Sequence, residues 1–253
     1  MQMIYEKERF EAYQLEQLQA TKEQLEEWKS NPYLLDESIT TKFWNEIKKA
    51  PMIAIIGDYD VDGETATYIM GKSIKSVCPD KKIFMRIPRR FSEGYGINDK
   101  IADEVMEKCP IGTIVVTVDN GIAAAQEVAY ASSLGIDTVV TDHHMPSGEL
   151  PKACAVVDLH REDCKSRFKN LSGVGVAFKL IMALEGEYCD TTTLLDNYSD
   201  LLSIGTIGDV VELKDENRVF VKHGLESITN TDRPGLQALI KNSGLTGKTV
   251  SST

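Results

Sequence analysis

The chain has 253 residues, enough for one large domain or two small ones, each with its own hydrophobic core. Its 42% hydrophobic and 26% charged residues are ordinary for a soluble globular protein, and no stretch approaches the roughly 20 apolar residues of a membrane span. The net charge of -11 argues against a basic groove over most of the surface, but does not exclude a nuclease whose carboxylates hold divalent metals.

The beginning of the chain and its cysteines indicate a cytoplasmic protein. The first thirty residues are rich in Glu and Lys and contain no apolar segment of the kind found in secretory signals. The five cysteines are scattered, without a CxxC pair, which fits reduced thiols: Cys78, Cys109, Cys154, Cys164 and Cys189. We therefore expect no membrane partner.

The first fifty residues are predicted to be helical. Residues 5–28 form a polar amphipathic pattern, which Asn31-Pro32 interrupts, and a second helix is predicted over about 40–49. We treat residues 1–50 as an N-terminal helical segment. It contains no motif that we can interpret, and packing onto the following domain and binding of a partner are both open.

From Met52 onward, short β-rich apolar runs alternate with helical patterns. The runs are MIAIIG, KIFMRIP, TIVVTVD, DTVVTD and ACAVVD, and the helices are predicted from about Gly63, Asn98 and Gly121. Such alternation is typical of βαβ units, in which a parallel sheet carries helices on both faces. The sheet part is predicted over about 51–160.

The last third of the chain is predicted to be mainly helical. No clear strand follows about Leu171, and helical patterns cover 172–185, 191–207, 215–229 and 233–243. The predicted fold class is therefore α/β, with a parallel-sheet domain over 51–245 whose C-terminal part, about 171–245, consists mainly of helices.

Metal-ligand residue types follow three of the predicted strands. The first strand runs into three acids, the third into one acid, and the fourth into an acid and two histidines: Asp58, Asp60 and Asp62; Asp119; and Asp142, His143 and His144. Carboxylates are costly to place near a core without a cation, and the carboxyl edge of an open α/β sheet is where ligands bind. Oxygen donors with one or two imidazoles suit Mn²⁺ or Mg²⁺ better than a structural zinc.

Each of these residues, taken alone, also has a structural explanation. An Asp after a strand is often the N-cap of the next helix, so Asp62 or Asp119 could serve as a cap. The adjacent His143 and His144 could be a surface pair. Their joint occurrence after three strands favours a site with two ions, which can share a carboxylate, activate a water and offset charge on a phosphoryl group.

Several ordered motifs resemble those of the DHH phosphoesterases. GDYDVDG (57–63), VDNGI (118–122) and TDHH (141–144) are similar to the first three motifs of that superfamily. Five further segments resemble its RecJ-type single-strand DNA exonucleases: IPRRFSEGYGIN (87–98), LSGVGVAFKL (171–180), IGTIGDVVEL (204–213), ENRVFVKHGLESI (216–228) and RPGLQALI (233–240). The resemblance runs from about Met52 to the C-terminus.

The resemblance implies two Mn²⁺ (or Mg²⁺) ions and assigns their ligands. These would be Asp60, Asp62, Asp119, His143 and Asp209, with Asp119 bridging the ions. Asp58 is a further candidate, although related phosphatases place a histidine near this end of the first strand, where this chain has Ile56. The assignment of Asp209 as a ligand rests on the resemblance alone, because its sequence position by itself indicates only an acid at a helix end.

The resemblance also assigns catalytic and substrate-binding residues. His144 resembles the partner of the scissile phosphate, and Asp142 would hold an imidazole in its productive orientation. In the loop after the second strand, Arg89 and Arg90 could bind phosphate and Tyr95 could stack on a base, although a solvated loop is the alternative. Arg90 matches the family's arginine better than Arg89 does.

The GVGVAF segment, residues 173–178, has two interpretations. Its backbone N–H groups could bind phosphate at a helix start, or its glycines could permit close helix packing. We favour the packing interpretation.

The function implied is metal-dependent hydrolysis of single-stranded DNA from the 5′ end. One alternative is a DHH phosphodiesterase acting on short oligonucleotides or cyclic dinucleotides. Another is a non-catalytic scaffold in a replication or repair assembly, which is disfavoured because all motif carboxylates and both histidines are present. RecJ-like enzymes also carry a DHHA1 domain and commonly an OB domain. Nothing here resembles either, so we expect a further segment or a partner chain to supply them.

Overall fold

The structure, a computed structural model, describes residues 37–185 and 188–251. The helix predicted over 5–28 lies outside these residues. The second predicted helix is present and is longer than expected, spanning Glu37–Lys49 as α1.

Five parallel strands form one sheet in the order β2-β1-β3-β4-β5. They are β1 (Met52–Ile56), β2 (Lys82–Arg86), β3 (Ile114–Val118), β4 (Asp137–Thr141) and β5 (Ala155–Val157). All five residues of β3 are buried, which fits a strand of mostly β-branched side chains covered on both faces. The predicted α/β class with a parallel sheet is confirmed.

Eight helices accompany the sheet in the described part of the chain. After α1 they are α2 (Val61–Val77), α3 (Asp99–Lys108), α4 (Ala125–Ser133), α5 (Gly173–Glu185), α6 (Thr191–Gly208), α7 (Asp215–Thr229) and α8 (Pro234–Asn242). The last four follow the sheet, which confirms the mainly helical C-terminal part. No helix within 37–185 or 188–251 is long and apolar enough to cross a membrane.

Alternation along the strands divides the core into two layers. Ile53 and Ile55 of β1 lie in the larger cluster, with side chains from α1, α2, α5 and α6. Ala54 and Ile56 face the opposite way and pack with residues of α3 and α4. Because successive side chains of a strand point to opposite faces, one apolar strand can join both layers. The predicted covering of both faces by helices is thus present.

The helix α4 begins four residues later than predicted. Gly121 has a φ of +109°, which is not helical, and the N–H of Ile122 donates to a carboxylate oxygen of Asp142 instead of an intrahelical acceptor. The turn closes when the N–H of Ala124 donates to the carbonyl of Gly121. Residues 121–124 therefore form a turn at the carboxyl edge of the sheet, and the helix begins after them.

A buried ion pair joins two of the C-terminal helices. Lys179 Nζ of α5 lies 2.7 Å from Glu216 Oε1 of α7, and the two side chains are only 4% and 7% exposed. Removing one partner of such a pair leaves an uncompensated charge in the interior, whereas replacing both with apolar residues is often neutral.

We predict that Lys179→Met lowers the free energy of unfolding by about 3–5 kcal/mol, and that Lys179→Met/Glu216→Leu recovers most of this loss. Urea denaturation followed by circular dichroism measures both values. Lys152→Met is the control, because Lys152 pairs with Glu149 on the exposed surface and its loss should change stability by less than about 1 kcal/mol. Equal losses in the single and double variants would contradict the prediction.

Candidate metal centre

The carboxyl ends of β1, β3 and β4 meet at the edge of the sheet where the order of the strands reverses. The chain passes from β1 to β2 on one side and then to β3 on the other, so the crevice between β1 and β3 is a topological switch point. Residues 58–62 leave β1 and Asp119 leaves β3 at this crevice, and residues 142–144 leave the neighbouring β4. The fold therefore brings the predicted polar segments to one place.

Asp119 is held in an unusual backbone conformation. Its φ is +61°, in the left-handed region that L-residues rarely adopt. The next residue, Asn120, is fully buried, and its amide Nδ2 donates to the carbonyls of Ile56 and Val118 while its Oδ1 accepts the N–H of Ile97. Asn120 thus ties the ends of β1 and β3 together and fixes the turn that presents Asp119.

Three carboxylates surround one imidazole nitrogen. His143 Nε2 lies 3.1 Å from Asp119 Oδ1, 3.6 Å from Asp209 Oδ2 and 3.9 Å from Asp62 Oδ2. The nitrogen and the Asp119 and Asp209 oxygens are buried, and none has a hydrogen-bond partner among the residues that the structure describes. Buried polar atoms that converge without hydrogen bonds fit a bound cation, because each otherwise loses its hydration uncompensated.

The candidate ligand atoms fall into three groups, and Asp119 belongs to two of them. One group contains Asp58, Asp60 and Asp119, and another contains Asp62, His143 and Asp209; within each, the atoms lie within 4.8 Å of one another. Asp119 also groups with His143 and His144. A carboxylate that belongs to neighbouring groups can be shared by two cations. The donor set, mainly oxygen with one or two imidazoles, fits Mn²⁺ or Mg²⁺.

Burial and mutual repulsion raise the pKa values of the clustered acids. The pKa values of Asp62 and Asp119 lie well above their usual range, first because both side chains are buried and second because other carboxylates lie close by. Burial also raises the pKa values of Asp58 and Asp209. Such a cluster is unfavourable in its fully ionised form, and divalent cations would remove the penalty.

Asp62 is held by the start of α5. Its Oδ2 and Oδ1 accept the N–H groups of Gly173 and Val174 at 2.6 and 2.8 Å. These N–H groups, which we considered as phosphate donors, therefore bind a carboxylate of the protein itself. The acid that caps α2 is Asp60, which accepts the N–H of Gly63, and not Asp62 or Asp119.

The absence of a side chain at Gly173 allows α5 to approach the acids. A Cβ at this position would lie 2.3 Å from Asp119 Oδ1. Gly173 therefore contacts Asp119 through its Cα side while its N–H binds Asp62. Gly173 therefore permits close packing of α5, as we favoured from the sequence, and the helix packs against the acid cluster.

Asp142 and His144 form a hydrogen-bonded pair beside the centre. Asp142 accepts the N–H groups of Ile122 and His143, and its Oδ1 lies 2.8 Å from His144 Nδ1. Burial alone would raise the pKa of Asp142, but the hydrogen bonds from His144 and Ile122 lower it. The same pair raises the pKa of His144 to about 9. The imidazole held by Asp142 is thus that of His144, which is about half exposed.

The loop after β2 places aromatic and cationic groups beside His144. The Arg90 guanidinium lies 5.1 Å from the ring centre of Tyr59, and Tyr59 meets Tyr95 edge-on at 6.2 Å. Tyr95 in turn meets His144 edge-on, and its hydroxyl donates to the carbonyl of Asp119. Arg89 is exposed, and its backbone N–H donates to a carboxylate oxygen of Glu93 at 2.7 Å.

Two polar residues near the centre were missed in the sequence. Asp158 and His160 follow β5, and Asp158 Oδ1 accepts the N–H of His160. Burial raises the pKa of Asp158 to about 7 and lowers the pKa of His160. Asp158 follows its strand as the other acids follow theirs, so the strand-end pattern could have identified it.

A protein-family model described as "DHH family, N-terminal domain" matches residues 52–206 of the chain. Among curated proteins, the single-stranded-DNA-specific exonuclease RecJ of Bacillus subtilis is 44% identical over 198 residues, which cover 78% of this chain and 24% of that protein. RecJ of Escherichia coli is 35% identical over 209 residues, with 78% and 36% covered. The chain thus spans about a quarter to a third of the length of these relatives.

Two solved structures share the fold. An exonuclease RecJ bound to manganese superposes with a TM-score of 0.71 and 32% identity, covering 85% of this chain and 53% of that one. RecJ of Thermus thermophilus in complex with Mn²⁺ has a TM-score of 0.68 and 26% identity, covering 96% and 37%. The resemblance that the motifs indicated is confirmed by these likenesses.

We predict that Gly173→Ala weakens Mn²⁺ binding by at least roughly tenfold, because the added methyl group displaces the Asp119 carboxylate. Isothermal titration of metal-free protein measures the affinity. Gly175→Ala is the matched control on the same helix turn, since a Cβ there meets only Leu171 and Ser172 at 3.2 Å or more. Equal affinity in the two variants would show that the contact with Asp119 does not matter.

We predict that His144 in metal-free protein titrates with a midpoint near pH 9, and that Asp142→Asn moves the midpoint toward the ordinary 6.5. Since the folded-state pKa lies above the unfolded one, the stabilisation from this pair is full below about pH 6.5 and is lost as the pH rises through 9. NMR titration of the imidazole, with His223 as an internal reference, measures both midpoints. A wild-type midpoint at or below 6.5 would contradict the assigned pairing.

Proposed function

The chain belongs to the DHH family, and from that premise we propose that it hydrolyses phosphodiester bonds of single-stranded DNA at a centre of two divalent cations. The relatives named single-stranded-DNA-specific exonucleases support this proposal, with 35–44% identity to this part of their sequences. The chain spans only part of those proteins, so its substrate and activity are proposals: the relatives support the substrate, and the metal centre supports the hydrolysis.

One observation carries the proposal. The atoms His143 Nε2, Asp119 Oδ1 and Asp209 Oδ2 converge from three separate segments, are buried, and have no hydrogen-bond partner within 37–185 and 188–251. A protein that used these residues only for its fold would be expected to satisfy them with hydrogen bonds, as it satisfies Asp62 and Asp142. This also disfavours the scaffold alternative, which does not require open ligand atoms.

We assign the cation ligands from two of the three groups of atoms. Asp58 and Asp60 would hold one Mn²⁺ or Mg²⁺, Asp62, His143 and Asp209 would hold the other, and Asp119 would serve both. When bound, such a pair of ions activates a water and offsets the charge of the phosphoryl group.

The side chains around the centre would bind and orient the substrate. His144 is protonated at neutral pH because Asp142 raises its pKa to about 9. Its Nδ1 faces Asp142, so its other ring N–H would donate a hydrogen bond to a phosphate oxygen. Arg90, stacked on Tyr59, would provide a second cation for the phosphate backbone. Tyr95 positions His144 and the backbone of Asp119, and Arg89 is a further phosphate contact.

Three further parts of the proposal concern the whole protein. We propose digestion from the 5′ end, on the basis of the family resemblance. A DHHA1-containing segment or a partner chain would hold the strand, which suits a chain with a net charge of -11. The scattered cysteines, with no CxxC pair among them, are in keeping with the cytoplasm.

We predict that the chain degrades 5′-labelled single-stranded DNA with Mn²⁺, and that Asp119→Asn lowers the rate by more than about 100-fold, since loss of one preorganised electrostatic group alone has an effect of that order. Asp80→Asn is the control, because it removes the same charge from an exposed turn before β2. The rates are measured by gel electrophoresis with single strands of increasing length, beginning at a dinucleotide, and with blunt duplex.

The outcomes separate the alternatives. Turnover that rises with strand length supports the exonuclease, whereas a preference for dinucleotides supports a phosphodiesterase of short oligonucleotides. Near-wild-type rates for Asp119→Asn would contradict the two-cation centre. A chain that binds no Mn²⁺ and cleaves nothing would support the scaffold.

A further inference from the structure

The segment that delivers Asp209 to the centre leaves α6 in a strained conformation. Asp209 is the last residue with helical backbone angles, at φ −77° and ψ −6°, and Val210 follows at φ +60°. Helices commonly end with a left-handed residue at this position, but it is usually glycine, because a β-branched side chain disfavours the conformation. Val210 is 86% exposed, so burial of its own side chain does not compensate for the strain.

Asn217 holds the other end of this segment. Its side chain is fully buried at the start of α7, and its Nδ2 donates to the carbonyl of Glu212 at 3.1 Å and to the carbonyl of Asn170 at 2.6 Å. The neighbouring Glu216 is fixed by its ion pair with Lys179. One amide group therefore ties Glu212, within the segment 209–214, to the buried start of α7. A strained residue persists only where its surroundings over-determine it, and this tie supplies that constraint.

The hydrogen bond from Asn217 to the carbonyl of Asn170 connects the 209–214 segment to the rest of the metal centre. Asn170 lies three residues before Gly173, whose N–H binds Asp62. The same two regions meet again where Ser172 Oγ lies 3.2 Å from Thr206 Oγ1 of α6. Asn217 thus links the segment that holds Asp62 to the segment that carries Asp209. These are two of the three residues that surround the position assigned to one cation.

We infer that Asn217 is a positioning residue of the metal centre: its buried amide sets the spacing between Asp62 and Asp209 and holds Val210 in its strained conformation. This inference rests on the proposed function, because it assigns Asn217 to one of the two cation positions. Asn217 belongs to the ion that Asp62, His143 and Asp209 would hold, because its two acceptors lie in the segments that fix Asp62 and carry Asp209. Its removal should therefore affect one ion and spare the other.

The test is Mn²⁺ binding by the full chain, followed by isothermal titration and by electron paramagnetic resonance, with thermal unfolding of the metal-free protein as the measure of stability. Asn217→Ala should weaken the binding of one of two Mn²⁺ ions by roughly 10–100-fold and leave the other unchanged. Asn170→Ala is the matched control, because Asn170 contributes only its backbone carbonyl and should retain both affinities. If Asn217→Ala does not fold, Asn217→Ser replaces it in the same comparison.

A double variant tests whether the Asn217 hydrogen bonds hold Val210 in its strained conformation. Without the tie, Val210 can relax out of the left-handed region, whereas glycine adopts that region without strain. Val210→Gly in the Asn217→Ala background should therefore restore part of the lost affinity, and Val210→Ala should restore less. A purely structural role of Asn217 would lower the unfolding temperature without selective loss of one ion.

Two results would overturn the inference in distinguishable ways. If the wild-type chain binds two Mn²⁺ ions and Asn217→Ala binds both with unchanged affinity, Asn217 is not a positioning residue, and the proposed function stands. If the wild-type chain binds no Mn²⁺, the proposed function fails, and the inference fails with it.

Discussion

Several carboxylates lie together in one buried crevice, and the rest of the structure must offset the free-energy cost of ionising them there. Desolvation and mutual repulsion raise the pKa values of Asp58, Asp62, Asp119 and Asp209, so the ionised cluster is unfavourable by itself. Yet the parallel sheet brings the acids to a single crevice, at the switch point between β1 and β3. Such an arrangement is expected only where something of opposite charge compensates for it.

The protein compensates for some of the acids and leaves others open. Asp62 accepts two N–H groups from the start of α5, and Asp142 accepts N–H groups and pairs with His144. In the described part of the chain, Asp119 and Asp209 each keep one buried oxygen without a hydrogen-bond partner, and both oxygens lie near His143 Nε2. The helical part of the chain thus does more than cover the sheet: α5 orients Asp62, and the end of α6 supplies Asp209. The approach of α5 depends on Gly173, where a Cβ would meet the Asp119 carboxylate.

Local sequence patterns predicted the sheet, its order of elements and the acids at the strand ends, because those depend on periodicity and on the rule that parallel strands share a carboxyl edge. They did not predict Asp209, which reaches the site from a distant helix end and was assigned through the family resemblance. Nor did they indicate Asn217, whose importance comes from two carbonyls that are remote in sequence. Asp158 was within reach of the strand-end rule and was overlooked. The start of α4 was misplaced because Ile122 binds Asp142, a tertiary contact that helix signals do not encode.

The most direct test of the two-cation centre is anomalous diffraction from crystals of this chain grown with Mn²⁺. We expect two anomalous peaks at the carboxyl edge of the sheet, with the Asp119 carboxylate contacting both, Asp58 and Asp60 beside one, and Asp62, His143 and Asp209 beside the other. A crystal with no peak in this crevice, or with a single peak that Asp119 does not contact, would contradict it.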